Sequence, residues 1–317
     1  LSKRLNDMNQ PSVSIIITSY NKRRTIGRCI RSAIRQSYTN KEVIVVDDCS
    51  TDGTTEAVSR FSDRVLVVRN HRNQGHTASR RLGVERAQGE YVTFVDGDDW
   101  LSAKAIEKAM THGADVVQMR ITLRVTRAGI PVVMRNRYCK ERALEAQICD
   151  ERLFPVQCWG KLYRRELLQR ARFIKYDGFW GEDRLFNMAV FGLKPSVAVA
   201  NDAVYNYRWG GATCDTYNPR DLSEYIKVWQ LKKEWLAENG MSSRYAHCAD
   251  KEMRDLARYD IRRMAASRQF SCEQMTEHVK GNICRTGLWD GGDAERLVHD
   301  NRLTPGRRIK NIVKQML

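Results

Sequence analysis

The chain has 317 residues, enough for one large domain or two smaller ones with a substantial core. Hydrophobic residues make up 42% of it and charged residues 29%, as in ordinary globular proteins, and its 6 prolines and 20 glycines argue against long disordered linkers. No apolar run approaches the roughly 18–20 residues that span a bilayer, so we expect any membrane contact to be peripheral.

The charge balance is the unusual property of this composition. Lys and Arg number 54 against 38 Asp and Glu, a formal net charge of +16, which raises a basic nucleic-acid-binding protein as one possible class. The net charge is +6 for residues 1–125, +5 for 126–219 and +5 for 220–317, and residues 301–317 supply all of the last value. Because the excess is an even background with one concentrated tail, we expect no nucleic-acid partner.

The nine cysteines show neither a CxxC pair nor a Cys/His spacing typical of a metal site. Their number is odd, and unpaired thiols are typical of a reducing compartment. We therefore expect a cytoplasmic protein.

Strand and helix signals alternate through the first 125 residues. Continuous apolar, β-branched runs predict buried strands at residues 13–18, 43–46, 65–68, 91–95 and 116–119. Apolar positions at helical spacing predict helices at residues 25–35, 54–61, 76–87 and 102–112. This alternation predicts an α/β fold with a parallel sheet, helices on both faces and right-handed crossovers.

The middle of the chain is less regular. Residues 121–126 and 130–138 flank a turn and predict a hairpin, residues 159–163 form an aromatic and basic patch, and residues 205–209 predict a strand. The pattern becomes helical from about Leu222.

Polar side chains follow the predicted strands where the apolar runs stop. They are Thr18 and Tyr20 after the first strand, Asp48 after the second, and Asp96, Asp98 and Asp99 after the fourth. The carboxyl ends of parallel strands meet at one sheet edge, where ligands bind. Clustered carboxylates are costly unless a cation or a ligand compensates their charge. The alternative is that each Asp caps a turn or a helix, but three acids around Gly97 exceed what one turn needs.

The Asp-x-Asp pair formed by Asp96 and Asp98 suits a hard cation such as Mg²⁺ or Mn²⁺, which usually shares its coordination with substrate phosphates. The chain has neither a Walker-type loop nor a GxGxxG after the first strand, which disfavours a P-loop NTPase and a nicotinamide dehydrogenase. These features favour a nucleotide-diphosphate ligand held through a metal.

Four motifs follow one another along this part of the chain. They are PSVSIIITSYN at 11–21, VIVVDDCSTDGT at 43–54, NQGHTASRRLG at 73–83 and GEYVTFVDGDDW at 89–100. Weaker matches follow at residues 161–168, 182–183 and 205–208. In order and spacing they resemble family 2 glycosyltransferases of the GT-A fold, of the type that builds bacterial surface polysaccharides. The resemblance implies a Rossmann-like mixed sheet with helices on both faces, followed by a helical C-terminal region.

The resemblance also implies roles for individual residues. The nucleotide-binding residues that it implies are Thr18, Tyr20, Asp48, Arg80, Asp96, Asp99 and Arg208. The implied metal ligands, for Mn²⁺ or Mg²⁺, are Asp98 and Asp96. Asp183, which precedes an apolar helix, matches the catalytic base. Arg81 stands where the family usually has Asn after the arginine.

The implied activity is inverting transfer of a sugar from a nucleotide sugar, expected to be UDP-linked, to a hydroxyl of a glycan or a lipid-linked acceptor. Trp159 and Trp180 are acceptor candidates because aromatic rings stack on sugars, with core packing as the alternative, and Glu182 is a third candidate whose alternative is a structural role. A sugar-phosphate nucleotidyltransferase is the nearest alternative enzyme, but its Gly- and Lys-rich opening loop is absent.

We expect two regions, a nucleotide-sugar-binding and catalytic domain at 1–219 and a helical region at 220–317. Residues 303–317 place apolar side chains on one stripe with cations mostly off it, which predicts a basic helix lying on anionic lipid at the inner face of the cell membrane. The alternative is that this stripe packs on the rest of the protein. A homodimer is left open.

Overall fold

The computed structural model describes residues 10–125, 131–133, 138–149, 153–176, 178, 180–209, 218, 220–267, 269–289, 296, 298 and 299. The described strands, in chain order, are β1 Val13–Ser19, β2 Lys41–Asp47, β3 Leu66–Arg69, β4 Tyr91–Asp96, β5 Trp100–Leu101, β6 Val116–Val125, β7 Pro131–Val133, β8 Lys161–Arg164 and β9 Val197–Trp209.

The described α-helices fall into two groups, seven within the sheet-forming part of the chain and three that follow it. They are α1 Ile26–Ile34, α2 Thr54–Ser59, α3 Gly75–Arg86, α4 Ala105–Met110, α5 Ala143–Ile148, α6 Arg165–Arg170, α7 Glu182–Phe191, α8 Asp221–Glu238, α9 Ser242–Ser267 and α10 Cys272–Ile283. None of these described helices combines the length and the apolar character that crossing a membrane requires.

All described strands belong to one mixed sheet with the order β3-β2-β1-β4-β8-β6-β9-β5, and β7 pairs with β6. Strands β1 to β4 are parallel, whereas β8 is antiparallel to both β4 and β6. In this register Thr18 lies between Val46 and Asp96. The polar residues that follow β1, β2 and β4 therefore meet at one edge of the sheet.

The β1 strand shows why the sheet is covered on both faces. All seven of its residues are buried, and successive side chains point to opposite faces. Ile15 and Ile17 belong to the core beneath α1, α2 and α4, whereas Ile16 belongs to the core beneath α3, α5, α6 and α7. The three later helices, α8 to α10, form a third core that includes Leu185 and Met188 of α7.

Two glycines allow close approach to β1. A Cβ at Gly83 in α3 would lie 2.4 Å from Ile16 Cγ2, and one at Gly89 would lie 2.5 Å from the backbone nitrogen of Ser14. Both positions therefore require the absence of a side chain, and Gly83 brings α3 onto the sheet.

The predicted alternation of strands and helices is confirmed through residue 119, with ends displaced by a few residues. The parallel arrangement predicted from the alternation holds for β1 to β4, and residues 161–164, which overlap the predicted aromatic patch, form the antiparallel strand β8, so that the sheet is mixed as the resemblance implies. The stretch at 121–125 is not a new strand but continues β6, and its pairing with β7 supplies the described part of the predicted hairpin. The basic helix predicted at 303–317 falls on residues that the structure does not describe, and its membrane binding stays a prediction.

Candidate active site

The site begins where β1 and β4 end side by side. The Thr18 hydroxyl donates to Asp96 Oδ1 at 3.4 Å, so these two predicted residues are brought together. Tyr20, two residues beyond Thr18, is 39% exposed and lies at the open side of this edge. An aromatic ring with this exposure offers a surface on which a flat base can stack.

Asp48, after β2, is buried and shapes the neighbouring loop. Its Oδ1 accepts from the Asn70 side chain at 2.7 Å and from the Gln74 backbone N–H at 2.9 Å, and its Oδ2 accepts from the Gly75 N–H at 2.8 Å. Because Gly75 opens α3, this carboxylate fixes the start of that helix. The predicted nucleotide contact of Asp48 stays a prediction.

Asp98 faces cations rather than other acids. Its Oδ2 lies 2.5 Å from the Lys22 ammonium, and its backbone carbonyl accepts from Arg28 Nη2 at 3.3 Å. The Arg28 guanidinium also stacks 3.6 Å above the Trp100 ring. Lys22 and Arg28 therefore place positive charge directly beside the carboxylate that was predicted to hold a metal.

Asp99, in contrast, points into the protein. It is 1% exposed and accepts from the Tyr205 hydroxyl at 2.6 Å and from the Arg208 backbone N–H at 2.8 Å. Burial raises the pKa of Asp99 well above its ordinary value, and the nearby Asp96 raises it further. The structure thus shows Asp99 tying β4 to β9, and direct contact with a nucleotide stays a prediction.

Arg208 is partly buried near the end of β9. Burial lowers the pKa of Arg28, and the positive charge of Arg208 lowers it further. Like charges gathered in this way favour an anionic ligand between them.

The N-terminus of α7 brings Asp183 to the same edge. Gly181 has a positive φ of 77° and begins the turn that starts the helix. Asp183 Oδ1 lies 2.6 Å from Arg80 Nη1, and Arg80 Nη2 lies 3.5 Å from Asp96 Oδ1. Arg80 is only 2% exposed, so it forms a buried bridge between the predicted base and the predicted metal-binding pair.

The neighbouring acidic groups keep the Arg80 guanidinium protonated. Burial on its own lowers the pKa of Arg80, but Asp183, Cys158 and Asp96 raise it, and the net result lies well above the ordinary value. Arg80 was predicted as a nucleotide-binding residue, and in the structure both of its ion pairs are with carboxylates of the protein. Contact with a nucleotide stays a prediction for this residue.

Glu182, at the first position of α7, has a pKa above the ordinary value of a glutamate. Burial raises the pKa of Glu182 to about 8, with the adjacent Asp183 as the second cause. Glu182 therefore holds its proton to a higher pH than an ordinary glutamate, and in the protonated form it can donate a hydrogen bond.

Two further residues near this site were not singled out from the sequence. Lys22 follows the SYN motif, and Lys161, in the WGKLY segment, is fully buried with its ammonium 2.5 Å from the Gln157 carbonyl. Burial lowers the pKa of Lys161 to about 7, while Cys158 and Asp183 act to raise it. The feature of the sequence that could have identified Lys161 is the presence of a lysine within the otherwise apolar segment WGKLY.

The aromatic acceptor candidates are placed differently from each other. Trp159 is 8% exposed and stacks on Tyr205 and Tyr207 of β9, with ring centroids 4.8 and 4.9 Å apart. Trp180 lies just before α7 and makes an edge contact with Tyr225 of α8, with centroids 4.2 Å apart. Both therefore pack on the protein, and Trp180 is the more open of the two.

The donor set at this edge fits a hard divalent cation. Among the described residues no group of three or more His, Cys, Asp or Glu side chains could hold a metal. Mg²⁺-type ions are however usually bound by one or two carboxylates together with substrate phosphates. Asp98 and Asp96, which are 20% and 19% exposed, are the carboxylates that would hold such an ion.

Comparison with known proteins identifies the family. Residues 14–172, about half of the chain, match the family described as Glycosyl transferase family 2. The chain therefore belongs to the family 2 glycosyltransferases, and this membership favours a sugar transferase over a nucleic-acid-binding protein or a nucleotidyltransferase.

Individual relatives agree with this assignment. The chain is 31% identical over 271 residues to glycosyltransferase GlyA of Streptococcus pneumoniae serotype 4, covering 73% of this chain and 38% of that protein. It is 29% identical over 229 residues to the poly(ribitol-phosphate) beta-N-acetylglucosaminyltransferase TarS of Staphylococcus aureus strain Mu50, covering 68% of this chain and 39% of TarS. The chain thus spans less than two thirds of the length of these relatives.

The fold has solved counterparts. The crystal structure of S. aureus TarS 1–349 in complex with UDP-GlcNAc superposes with a TM-score of 0.63 at 20% sequence identity, covering 96% of this chain and 92% of that one. The expected GT-A fold, a mixed sheet with helices on both faces and a helical C-terminal region, is confirmed.

Proposed function

We propose that this protein is an inverting, metal-dependent glycosyltransferase that moves a sugar from a UDP-linked donor to a hydroxyl of a glycan or lipid-linked acceptor in surface-polysaccharide synthesis. One observation carries the proposal. Asp183, a carboxylate at the start of a helix, and Asp96, the first acid of the Asp-x-Asp pair at the end of a strand, face one another across the buried cation Arg80. The site thus has separate groups for the acceptor proton and for the donor diphosphate.

The donor assignment rests on the edge formed by β1, β2 and β4. Tyr20 is 39% exposed on the side where a nucleoside would lie, the buried Thr18 donates to Asp96 beneath it, and Asp48 fixes the neighbouring loop. TarS, whose fold this chain shares, has been crystallised with UDP and with UDP-GlcNAc, which supports a uridine nucleotide.

The reaction requires one proton transfer and one displacement. Asp183 takes the proton of the acceptor hydroxyl while that oxygen forms a bond to the anomeric carbon, and the bond from this carbon to the diphosphate oxygen breaks. Attack from the face opposite the diphosphate inverts the anomeric configuration. When bound at Asp98 and Asp96, Mn²⁺ or Mg²⁺ supplies Lewis-acid stabilisation of the leaving diphosphate.

The cations of the chain itself act on the same leaving group. Lys22 and Arg28 lie beside Asp98, where negative charge develops as the nucleoside diphosphate departs, and the Arg208 backbone N–H donates to the adjacent Asp99. Preorganised positive charge at this position lowers the barrier without reorganisation during the step.

The setting of the reaction follows from the relatives. TarS is named a poly(ribitol-phosphate) beta-N-acetylglucosaminyltransferase, and TuaG of Bacillus subtilis, 40% identical over 104 residues, is named a putative teichuronic acid biosynthesis glycosyltransferase. These names support an acceptor belonging to a surface polymer and an enzyme at the cytoplasmic face of the membrane, held there by residues 303–317. A homodimer is not part of the proposal.

The experiment is a panel of UDP-, GDP- and dTDP-sugars tested for Mn²⁺-dependent hydrolysis, together with thermal unfolding in the presence of UDP and Mn²⁺. We expect UDP with Mn²⁺ to raise the unfolding temperature and a UDP-sugar to be hydrolysed. Asp98→Ala should abolish the stabilisation, and Asp183→Ala should abolish hydrolysis while retaining the stabilisation. Salt-sensitive RNA binding with no effect of nucleotides would contradict the proposal.

A further inference from the structure

The residue that follows the proposed base is tied to the helical region. Arg184 is 7% exposed, and its Nη1 contacts the Glu252 carboxylate of α9. The other oxygen of Glu252 accepts from the Lys232 ammonium of α8, which also donates to the Ile148 carbonyl at the end of α5 at 3.4 Å. One carboxylate therefore joins α7, α8 and α9, and through Lys232 it also reaches α5.

The consecutive residues Asp183 and Arg184 form ion pairs with partners on different sides of α7. Side chains that follow one another on an α-helix point about 100° apart, because a turn contains 3.6 residues. Asp183 is held by Arg80 on α3, and Arg184 is held by Glu252 on α9. Rotation of α7 about its own axis in either direction would lengthen one of these contacts.

The turn before α7 is seated on α8 as well. A Cβ at Gly181 would lie 3.1 Å from Val228 Cγ2, so the backbone approaches α8 closely. The Tyr176 hydroxyl donates to the Trp180 carbonyl at 2.7 Å and also contacts the Glu224 carboxylate of α8. The helical region thus contacts the start of α7 at several points, and Glu252 supplies the charged one.

Stability alone is a weak explanation for this buried cluster. The loss of hydration on burial offsets much of the attraction between the ions, and well-packed apolar residues in the same positions are often equally stabilising. A charged contact does however fix direction and distance more narrowly than an apolar one. A catalytic group must be held to within about 0.5 Å and 10–20° of its productive position.

We propose that Glu252 is a positioning residue for the reaction, which holds α7 so that Asp183 stays beside Arg80 and faces the acceptor hydroxyl. The inference rests on the proposed function, since it assigns a purpose to the helical region through the base Asp183. It gives this region, which lies beyond the matched residues 14–172, a direct part in transfer.

The test compares Glu252→Gln and Arg184→Met with wild type. Arg184→Met breaks the same contact from the side of α7 while leaving Glu252 paired with Lys232, so it serves if Glu252→Gln folds poorly. The matched control is Asp221→Asn, which removes the charge of another buried carboxylate between α8 and α9, paired with Arg263 at 2.7 Å. Hydrolysis is followed with the nucleotide sugar that the panel shows to be hydrolysed fastest, and hydrogen exchange is followed in α7.

We expect kcat to fall about tenfold to a hundredfold in Glu252→Gln and Arg184→Met, because a small misplacement of a reacting group has effects of this size. The KM for the donor should stay near the wild-type value, since the nucleotide edge is untouched, and the amides of α7 should exchange faster. Asp221→Asn should change neither kcat nor exchange in α7.

Two results would overturn the inference. One is a wild-type kcat in both Glu252→Gln and Arg184→Met, and the other is an equal loss of kcat in Asp221→Asn, which would point to general destabilisation. Asp183→Asn separates this inference from the proposed function. If Asp183→Asn keeps its kcat, the base assignment and the inference both fail. If Asp183→Asn is inactive while Glu252→Gln and Arg184→Met are fully active, only the positioning role is refuted.

Discussion

The Arg80 guanidinium lies 2.6 Å from the Asp183 carboxylate and 3.5 Å from that of Asp96, and it is almost completely buried. One arginine of α3 therefore connects the acid at the start of α7 with the acid at the end of β4. This cation holds the Asp183 and Asp96 carboxylates, to which we assign the acceptor proton and the donor diphosphate respectively, on either side of one guanidinium group.

Replacing Arg80 by Met tests this bridge. The substitution leaves two carboxylates without their common partner, and removing one member of a buried ion pair costs about 3–5 kcal/mol of unfolding free energy. We expect a loss near the lower end of this range, because Asp183 and Asp96 are partly exposed, together with loss of hydrolysis. Urea denaturation measures the change, and the exposed neighbour substitution Arg81→Met is the control. An Arg80→Met protein as stable as wild type would refute the bridging role.

The contact between Lys22 and Asp98 predicts competition with the metal. The ammonium occupies a carboxylate oxygen at 2.5 Å, so an ion that binds Asp98 must displace it. A partly exposed pair of this kind is worth about 0.2–1 kcal/mol. We therefore expect Lys22→Met to bind Mn²⁺ about two- to fivefold more tightly without nucleotide, measured by electron paramagnetic resonance titration. Weaker binding by the variant would mean that Lys22 assists the metal.

Buried Lys161 predicts a dependence of stability on pH. Its pKa of about 7 lies below the ordinary value of 10.5, so between these pH values the unfolded chain binds one more proton than the folded protein. This group therefore makes the folded protein more stable as pH rises from 7 to 10.5, by up to about 1.4 kcal/mol per pH unit.

Lys161→Met should remove that contribution. We expect the unfolding free energy of wild type to rise steadily relative to that of Lys161→Met as the pH is raised from about 7 to about 10. Denaturation at several pH values measures it, with the exposed Lys104→Met as control. A gap that does not vary with pH would show that Lys161 is charged in the folded protein.

The parallel strands β1 to β4 were predictable from the sequence, and the antiparallel strand β8 was not. Runs such as VSIIIT and VIVV are buried on both faces, and this is the pattern of central parallel strands. The β8 segment has only four residues and includes Lys161 and Arg164, so its place between β4 and β6 is decided by pairing with distant strands. Local sequence carries little information about such pairing.

The same limit applies to the site. The acids that follow β2 and β4 could be identified as a group, because the strand ends of a parallel sheet converge, and Asp183 at the start of α7 was identified through the family resemblance. The distance between Arg80 and Asp183 could not be predicted, because the two residues are separated by 103 positions in the chain. Nor could it show that Asp99 turns inward to Tyr205 while Asp98 turns outward to Lys22, since both acids are neighbours in one motif.

The close contact between Gly83 and Ile16 predicts a sensitive position in α3. An added methyl group would meet Ile16 Cγ2 at 2.4 Å, and overpacking of this kind costs about 1–3 kcal/mol. Gly83→Ala should lower the unfolding free energy by such an amount. In Gly27→Ala the methyl group meets only the flexible end of Arg31 at 3.4 Å, so the gain in helix propensity should leave that variant as stable as wild type or slightly more stable. Equal stability of the two variants would contradict the packing seen at α3.

Asp183→Asn tests the assigned base most directly. The substitution keeps the size of the side chain and its place at the start of α7, but it removes the group that takes the acceptor proton. The measurement is Mn²⁺-dependent hydrolysis of the preferred nucleotide sugar, with thermal stabilisation by UDP and Mn²⁺ recorded on the same protein. We predict a loss of kcat of at least about a hundredfold with the stabilisation intact, whereas a variant that binds UDP and turns over at the wild-type rate would show that Asp183 is not the base.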